Sequence, residues 1–185
     1  MSNREPSAIG ESSNRFKYAH LERERRFLLW EQPSDIAYDR TLFIQDRYLI
    51  GSRLRLRRVD EPSKTCVYKL GQKIRLDDSP KTIAHTTLYL SEAEFDILST
   101  LPATTLEKTR RLFTIDGLIV GIDEFDGRLS GLLLAEVDLG AEGALPSSLP
   151  NMFGLEVTDD ERFTGGSLAN TSSEELIGLL FQHRN

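Results

Sequence analysis

The sequence predicts a strand-rich α+β domain, mostly antiparallel hairpins, with helices near the middle and the end. Three observations predict it. Runs of alternating polar and apolar residues recur along the chain, as in Arg53-Leu54-Arg55-Leu56-Arg57. Alternation of period two marks a strand with two unlike faces. Turn-forming groups separate these runs: Asp60-Glu61-Pro62-Ser63, Asp116-Gly117 and Asp126-Gly127. Two stretches, opening at Ser91-Glu92-Ala93-Glu94 and Thr171-Ser172-Ser173-Glu174, carry the capping box that starts a helix.

The 185 residues fit one domain with a sizeable core. A net charge of −6 argues against a general binder of nucleic acid or of anionic membranes. The single cysteine, Cys66, has no partner for an internal disulfide, so a reducing cytoplasm is the expected setting. It sits in an apolar strand pattern and reads as a buried spectator. The longest apolar runs, near Leu118–Ile122 and Leu132–Ala135, are too short to cross a bilayer, and the N-terminus lacks an apolar signal core. The expected partner is a small molecule, not nucleic acid or membrane, bound by a monomer or a homodimer.

Residues 1–18 are polar and without apolar period. They read as a disordered leader, followed by one domain over 19–185. The opening strand, Ala19–Trp30, places Glu22, Glu24 and Arg26 on one face. Two carboxylates two residues apart can hold one divalent cation, and the arginine beside them can reach an anionic ligand of that metal. Arg23 and Arg25 charge the opposite face, so parity leaves the inner side open. Glu31–Tyr38 contains Pro33 and reads as a loop or a helical turn. Strands follow at Thr41–Ile50, Ser52–Val59 and Thr65–Leu70. Gly71–Lys81 reads as a polar loop with Lys73, Arg75 and Lys81, and Ile83–Leu90 as the next strand.

The first helix runs to about Leu101, with Phe95 and Leu98 toward the core. Leu106–Phe113 and Leu118–Phe125 form a hairpin across Asp116-Gly117. Gly131–Leu139 is the last long strand. Gly140–Gly154 is loop, and Glu156-Val157-Thr158 is a short strand or turn. The final helix runs through Phe181 with Leu176, Ile177, Leu179 and Leu180 as its apolar positions.

Charge is the informative pattern. Arg53, Arg55 and Arg57, then Lys69, then Lys108 and Arg110 recur at alternate positions on their strands. Glu22 and Glu24, Asp123, and Glu136 with Asp138 do the same on others. The opposite faces carry Leu54, Leu56, Tyr68, Leu70, Val120, Ile122, Ala135 and Val137. On an open sheet the charged face would simply be solvated. In a closed sheet it would line a polar lumen. So many charges inside need water, counter-ions or a ligand. A polyphosphate with a divalent metal suits both sets, its phosphate oxygens meeting Arg and Lys and its metal the carboxylates.

These residues resemble the CYTH group of triphosphate tunnel metalloenzymes. The family's Glu-x-Glu-x-Lys is similar to Glu22-Arg23-Glu24-Arg25-Arg26, its Arg-x-Arg to Arg55-Leu56-Arg57, and its next lysine to Lys69. Glu107-Lys108-Thr109-Arg110, Asp123, Glu136-Val137-Asp138 and Glu156-Val157-Thr158 follow in the family's order. The resemblance covers about Ala19 to Ala169. It implies an antiparallel eight-stranded tunnel, a closed barrel with flanking helices, that binds triphosphate with Mg²⁺ or Mn²⁺. Departures are Arg26 for a lysine, His85 and Thr87 on a strand where relatives carry glutamates, and Gly165-Gly166 where relatives carry basic residues.

The resemblance implies metal-dependent hydrolysis of inorganic triphosphate or a related small triphosphate. Glu22, Glu24, Glu136 and Asp138 would hold the metal, with Asp123 in support. Arg55, Arg57, Lys69, Lys108 and Arg110 would bind phosphate, and Arg26 and Lys69 would act catalytically. The alternatives are a class IV-type adenylate cyclase and a polyphosphate- or nucleotide-binding module with little turnover. Removing one cation, as in Arg57→Ala, is expected to relieve repulsion in the empty protein.

Overall fold

The computed structural model describes residues 17–34, 36–76, 83–139 and 153–184. Nearly all of the expected leader, Lys81, and most of the loop Gly140–Gly154 lie outside these residues. The chain is mostly β, with few helices. In order, it forms β1 (His20–Glu22), β2 (Glu24–Leu29), β3 (Arg40–Leu49), β4 (Leu54–Asp60), β5 (Val67–Arg75) and β6 (Ile83–Leu90). Then come α1 (Glu92–Ser99), β7 (Ala103–Ile115), β8 (Leu118–Phe125), β9 (Leu133–Asp138), β10 (Leu155–Glu156), α2 (Gly165–Leu168) and α3 (Ser173–Gln182).

All ten strands belong to one antiparallel, strongly curled half-barrel sheet, in the order β1-β6-β5-β4-β3-β7-β8-β9-β2-β10. This corrects the expected closed eight-stranded barrel: the sheet is open, and among the described residues its end strands β1 and β10 do not pair. The opening strand accounts for the difference. It breaks at Arg23, so that β1 pairs with β6 while β2 pairs with β9. Leu155 and Glu156 then add a further edge along β2.

The Asp116-Gly117 turn between β7 and β8 has positive φ at both positions, 50° and 79°. That geometry matches the right-handed twist of two paired strands, and glycine tolerates it without strain. β5 is longer than its sequence suggests and takes in Gly71, Gln72 and Lys73, because β6 pairs with it without a break as far as Arg75. Cys66 is half-buried just before it, not fully buried as expected.

The outward face of the β2-β9-β8-β7 half is apolar. Phe27, Leu29, Phe113, Val120, Ile122, Ala135 and Val137 form a buried cluster, covered by Ile36, Tyr38 and Phe153. α1 begins with the expected capping box at Ser91 and Glu94. It lies over the outer face through Phe95, whose ring sits 4.7 Å from that of Tyr68. Phe95 and Leu98 are half-buried on the side expected to face the core, and no residue of α1 is fully buried.

A second apolar cluster closes one end of the sheet's concave side. Leu28, Leu106, Phe125 and Leu134 pack there with Val157, Phe163, Leu168, Leu176 and Leu179 of the C-terminal segment, and Tyr48 packs against them. In α3 the capping box is Ser172 with Glu175, one residue later than expected. The Thr171 hydroxyl is already committed, donating to the Ser167 carbonyl. Leu176 and Leu179 face inward, and Ile177 is exposed.

Candidate functional site

The charged side chains lie between the walls of the curled sheet, in three linked groups. In the first, β3 places Asp46 opposite Arg57 of β4. Arg57 donates to both Asp46 oxygens at 2.6 Å, and Arg55 Nε lies 3.5 Å from Oδ1. Asp46 is 1% exposed. Burial pushes its carboxyl up, but Arg57 and Arg55 outweigh this and hold it well below the usual carboxylate range. Arg57 responds in kind: burial disfavours its charge, and Asp46 more than restores it.

The second group spans three strands. Asp123 of β8 is fully buried and accepts from Lys108 at 2.5 Å and from Arg110 at 2.6 Å on each oxygen. Arg110 also reaches over β8 to Glu136 of β9. Gly121 makes that reach possible. It lies between Leu112 and Glu136 in register, and a Cβ there would come within 3.2 Å of Arg110 Cδ and Nε. Burial opposes ionisation of Glu136, yet Arg110, Lys108 and Arg26 hold it well below its usual range. Lys108 is pushed down, first by burial and then by Arg110.

The third group joins the two ends of the sheet. Lys73 of β5 sits 2.8 Å from Glu22 Oε2 and 2.6 Å from Glu24 Oε1. His85 Nδ1 lies 2.5 Å from Glu22 Oε1, and Arg26 Nε donates to Glu136 at 3.2 Å. Burial pushes Glu22 up, but His85 and Lys73 bring it to about 2. Thr158, just after β10, accepts from the Arg26 backbone N–H at 3.0 Å and thereby fixes β2 from its free edge.

The structure thus brings Glu22, Glu24, Arg26, Lys108, Arg110, Asp123 and Glu136 into one lattice of ion pairs, with Arg55 and Arg57 held beside it on Asp46. Lys69 and Asp138 stand toward its edge. Lys69 lies over the Tyr89 ring, 5.2 Å from its centroid, and Asp138 is exposed opposite Glu24 in register. Asp46 and Lys73 were missed from sequence. Asp46 interrupts an alternating apolar stripe, Leu42, Ile44, Tyr48, which is a signal for a paired, buried acid. Lys73 continues the Lys69–Gly71 parity and was hidden by its assignment to a loop. Gly165 has a packing reason: a Cβ there would lie 2.1 Å from Tyr48 Oη, so no side chain fits where α2 meets the lumen floor.

The donor chemistry suits a hard divalent cation. Glu22 Oε2 is buried and faces the Lys73 ammonium at 2.8 Å. Among the described residues no three His, Cys, Asp or Glu side chains converge to hold a metal unaided. Mg²⁺ is commonly held by one or two carboxylates plus substrate phosphates, so the pair Glu22 and Glu24 meets the requirement. No helix among the described residues is long and apolar enough to cross a membrane.

No family model matches the sequence. The inorganic triphosphatase of Nitrosomonas europaea is 37% identical over 87 residues, which are 44% of this chain and 56% of that protein. The inorganic triphosphatase of Acetivibrio thermocellus is 38% identical over 63 residues, 34% of this chain and 40% of that protein. The chain therefore spans about half the length of the curated relatives it matches. Among solved structures, the inorganic triphosphatase NE1496 superposes with a TM-score of 0.52 at 26% identity, over 81% of this chain and 95% of that one. A conserved hypothetical protein from Pyrococcus furiosus superposes with a TM-score of 0.50 at 16% identity, over 65% of this chain and 80% of that one, a likeness of fold alone.

Proposed function

We propose that this chain, a member of the CYTH/triphosphate tunnel family, hydrolyses inorganic triphosphate or a related small triphosphate with the help of Mg²⁺ or Mn²⁺. One observation carries the reading: Arg26, Arg55, Arg57, Lys73, Lys108 and Arg110 converge on a lumen blocked at one end by apolar side chains. A dense array of partly buried cations is suited to a compact polyanion, whose charge grows on the oxygens as a phosphoanhydride bond breaks.

In this proposal each residue has a separate task. Arg55 and Arg57 grip phosphate oxygens through planar guanidinium forks, with Asp46 aiming Arg57. Lys108 and Arg110, aimed by Asp123 and Glu136, stabilise charge on the transferring group. Asp123 has both oxygens taken and serves as an anchor. Arg26 and Lys69 approach from opposite sides as assisting groups. Glu22 and Glu24 would hold the metal, with Asp138 near Glu24 in register. The metal would supply Lewis acidity toward the phosphate oxygens and the attacking water.

A second reading, binding with little turnover, draws on one observation: His85 and Lys73 already engage Glu22. A phosphate-release assay with inorganic triphosphate and Mg²⁺ or Mn²⁺ tests both. Metal-dependent release of phosphate is the expected result. Tight binding by calorimetry without release would select the binding module, and neither binding nor release would remove both readings.

A further inference from the structure

The helix α3 follows Ala169, where the family's motifs end, and it is apolar on two opposite sides. Leu176 and Leu179 face the plug of the lumen and are buried. On the other side Ile177 and Phe181 are each 68% exposed. They stand four residues apart and therefore share one stripe of the helix. A surface helix ordinarily keeps its outward stripe polar, and a helix that is apolar on both sides is one that is covered on both.

Gly178 lies beside these two residues. Glycine is the poorest ordinary residue for a helix interior, and it is used where a backbone must be approached closely. Within the chain nothing requires it: a Cβ at Gly178 would meet no atom within 4 Å. The missing side chain leaves room for a second helix from outside.

Charge selects which helix. Glu174 opens the stripe and Arg184 closes it, both exposed. The Arg184 backbone N–H donates to the Phe181 carbonyl at 3.3 Å, which continues the last turn. Its guanidinium lies over the Trp30 ring, 5.6 Å from the centroid, and Trp30 is 44% exposed. The stripe thus runs from acid through apolar residues and a glycine to base. Turned end for end, it complements itself. One antiparallel register, centred at the level of Leu179, sets Ile177 against Phe181 of a second copy and Glu174 against Arg184 of that copy. A twofold axis repeats both contacts.

We propose that the outward face of α3 is a homodimer interface. Two copies of this chain pair antiparallel through Ile177, Gly178 and Phe181, with a Glu174–Arg184 ion pair at each end and Trp30 at the rim. Ten helical residues span about 15 Å, so the face is small and the dimer is weak and concentration-dependent. Because the inward side of α3 closes the lumen, pairing joins the two closed ends and leaves the rest of both lumens free.

Sedimentation velocity of the full chain over a concentration series tests this. The parent should pass from monomer to dimer across the micromolar range. Phe181→Ala should raise the dissociation constant about tenfold, as loss of a central aromatic contact does. Glu174→Arg and Arg184→Glu should each raise it about tenfold through like-charge contacts, and the double variant, which restores opposite charges, should return it close to the parent value. Gly178→Gln should melt at or above the parent temperature, because glutamine favours the helix, and yet dimerise less. A parent that stays monomeric at every concentration overturns the proposal. So does a dimer unchanged by Phe181→Ala or Gly178→Gln, or a double variant as weak as the single ones.

Discussion

Asp46 and Arg57 meet as a two-pronged ion pair across β3 and β4, both prongs 2.6 Å long, with the aspartate sealed from solvent. The pair changes what removing the arginine should do. Crowding of cations predicted relief in Arg57→Ala, but the lumen holds matched pairs, and the deletion leaves a buried carboxylate with the longer Arg55 contact as its remaining ion pair among the described residues. Breaking one side of such a pair costs about 3–5 kcal/mol. Arg57→Ala and Asp46→Asn should therefore both lower the melting temperature of the empty protein. Arg57→Lys should recover part of the loss, since an ammonium cannot reproduce the fork. Calorimetry in which Arg57→Ala melts with or above the parent would show that the pair contributes nothing.

The same pair sets a pH dependence. Asp46 is held below the value of an unfolded aspartate, about 3.9. Its contribution to stability is complete above that value and is lost as pH falls through the lower folded value. Melting temperature should drop steeply below about pH 4 in the parent, and less steeply in Asp46→Asn. Parallel slopes for the two proteins would remove Asp46 from the account.

Lys73 occupies the position between Glu22 and Glu24 where the proposed divalent cation would sit. Glu24→Gln should weaken Mn²⁺ binding strongly. Lys73→Gln, which removes the competing charge, should tighten Mn²⁺ binding several-fold in the absence of triphosphate while lowering phosphate release. Electron paramagnetic resonance of free Mn²⁺ measures both affinities. Unchanged affinity in both variants would place the metal elsewhere.

Gly121 lets Arg110 cross β8 to Glu136. Gly121→Val puts branched carbon into that path and should push Arg110 off its partners. Overpacking of this kind costs about 1–3 kcal/mol, and triphosphate affinity should fall with it. Gly121→Ala should show a smaller effect of the same sign. A Gly121→Val protein with parental melting and parental triphosphate binding would mean that Arg110 has another route.

Much of the site was legible because strand alternation is a local property. Glu22, Glu24 and Arg26, Arg55 and Arg57, and Lys108 and Arg110 share faces on their strands whatever the fold, since the pleat has period two. Likewise, Ile83–Leu90 and Leu118–Phe125 have the predicted bounds, each delimited by turn or capping residues that act within a few positions. Lys73 was harder to read: Gly71 and the polar residues after it resemble a loop, and pairing with β6, joined by β4 as far as Gln72, keeps them extended.

Sequence alone therefore determined the strands, their turns and which charges share a face, because neighbouring residues along the backbone decide those. Tertiary structure decided which charges meet. Arg110 and Glu136 are separated by a whole strand, and nothing local says that a glycine will lie between them. It also decided that the sheet stays open, with the opening strand divided between β6 and β9, and that the C-terminal helices close one end of the lumen. Long-range pairing depends on how the curled sheet brings distant strands together, and on apolar side chains such as Phe163 and Leu168 finding the lumen floor. Neither is written in any one stretch of the chain.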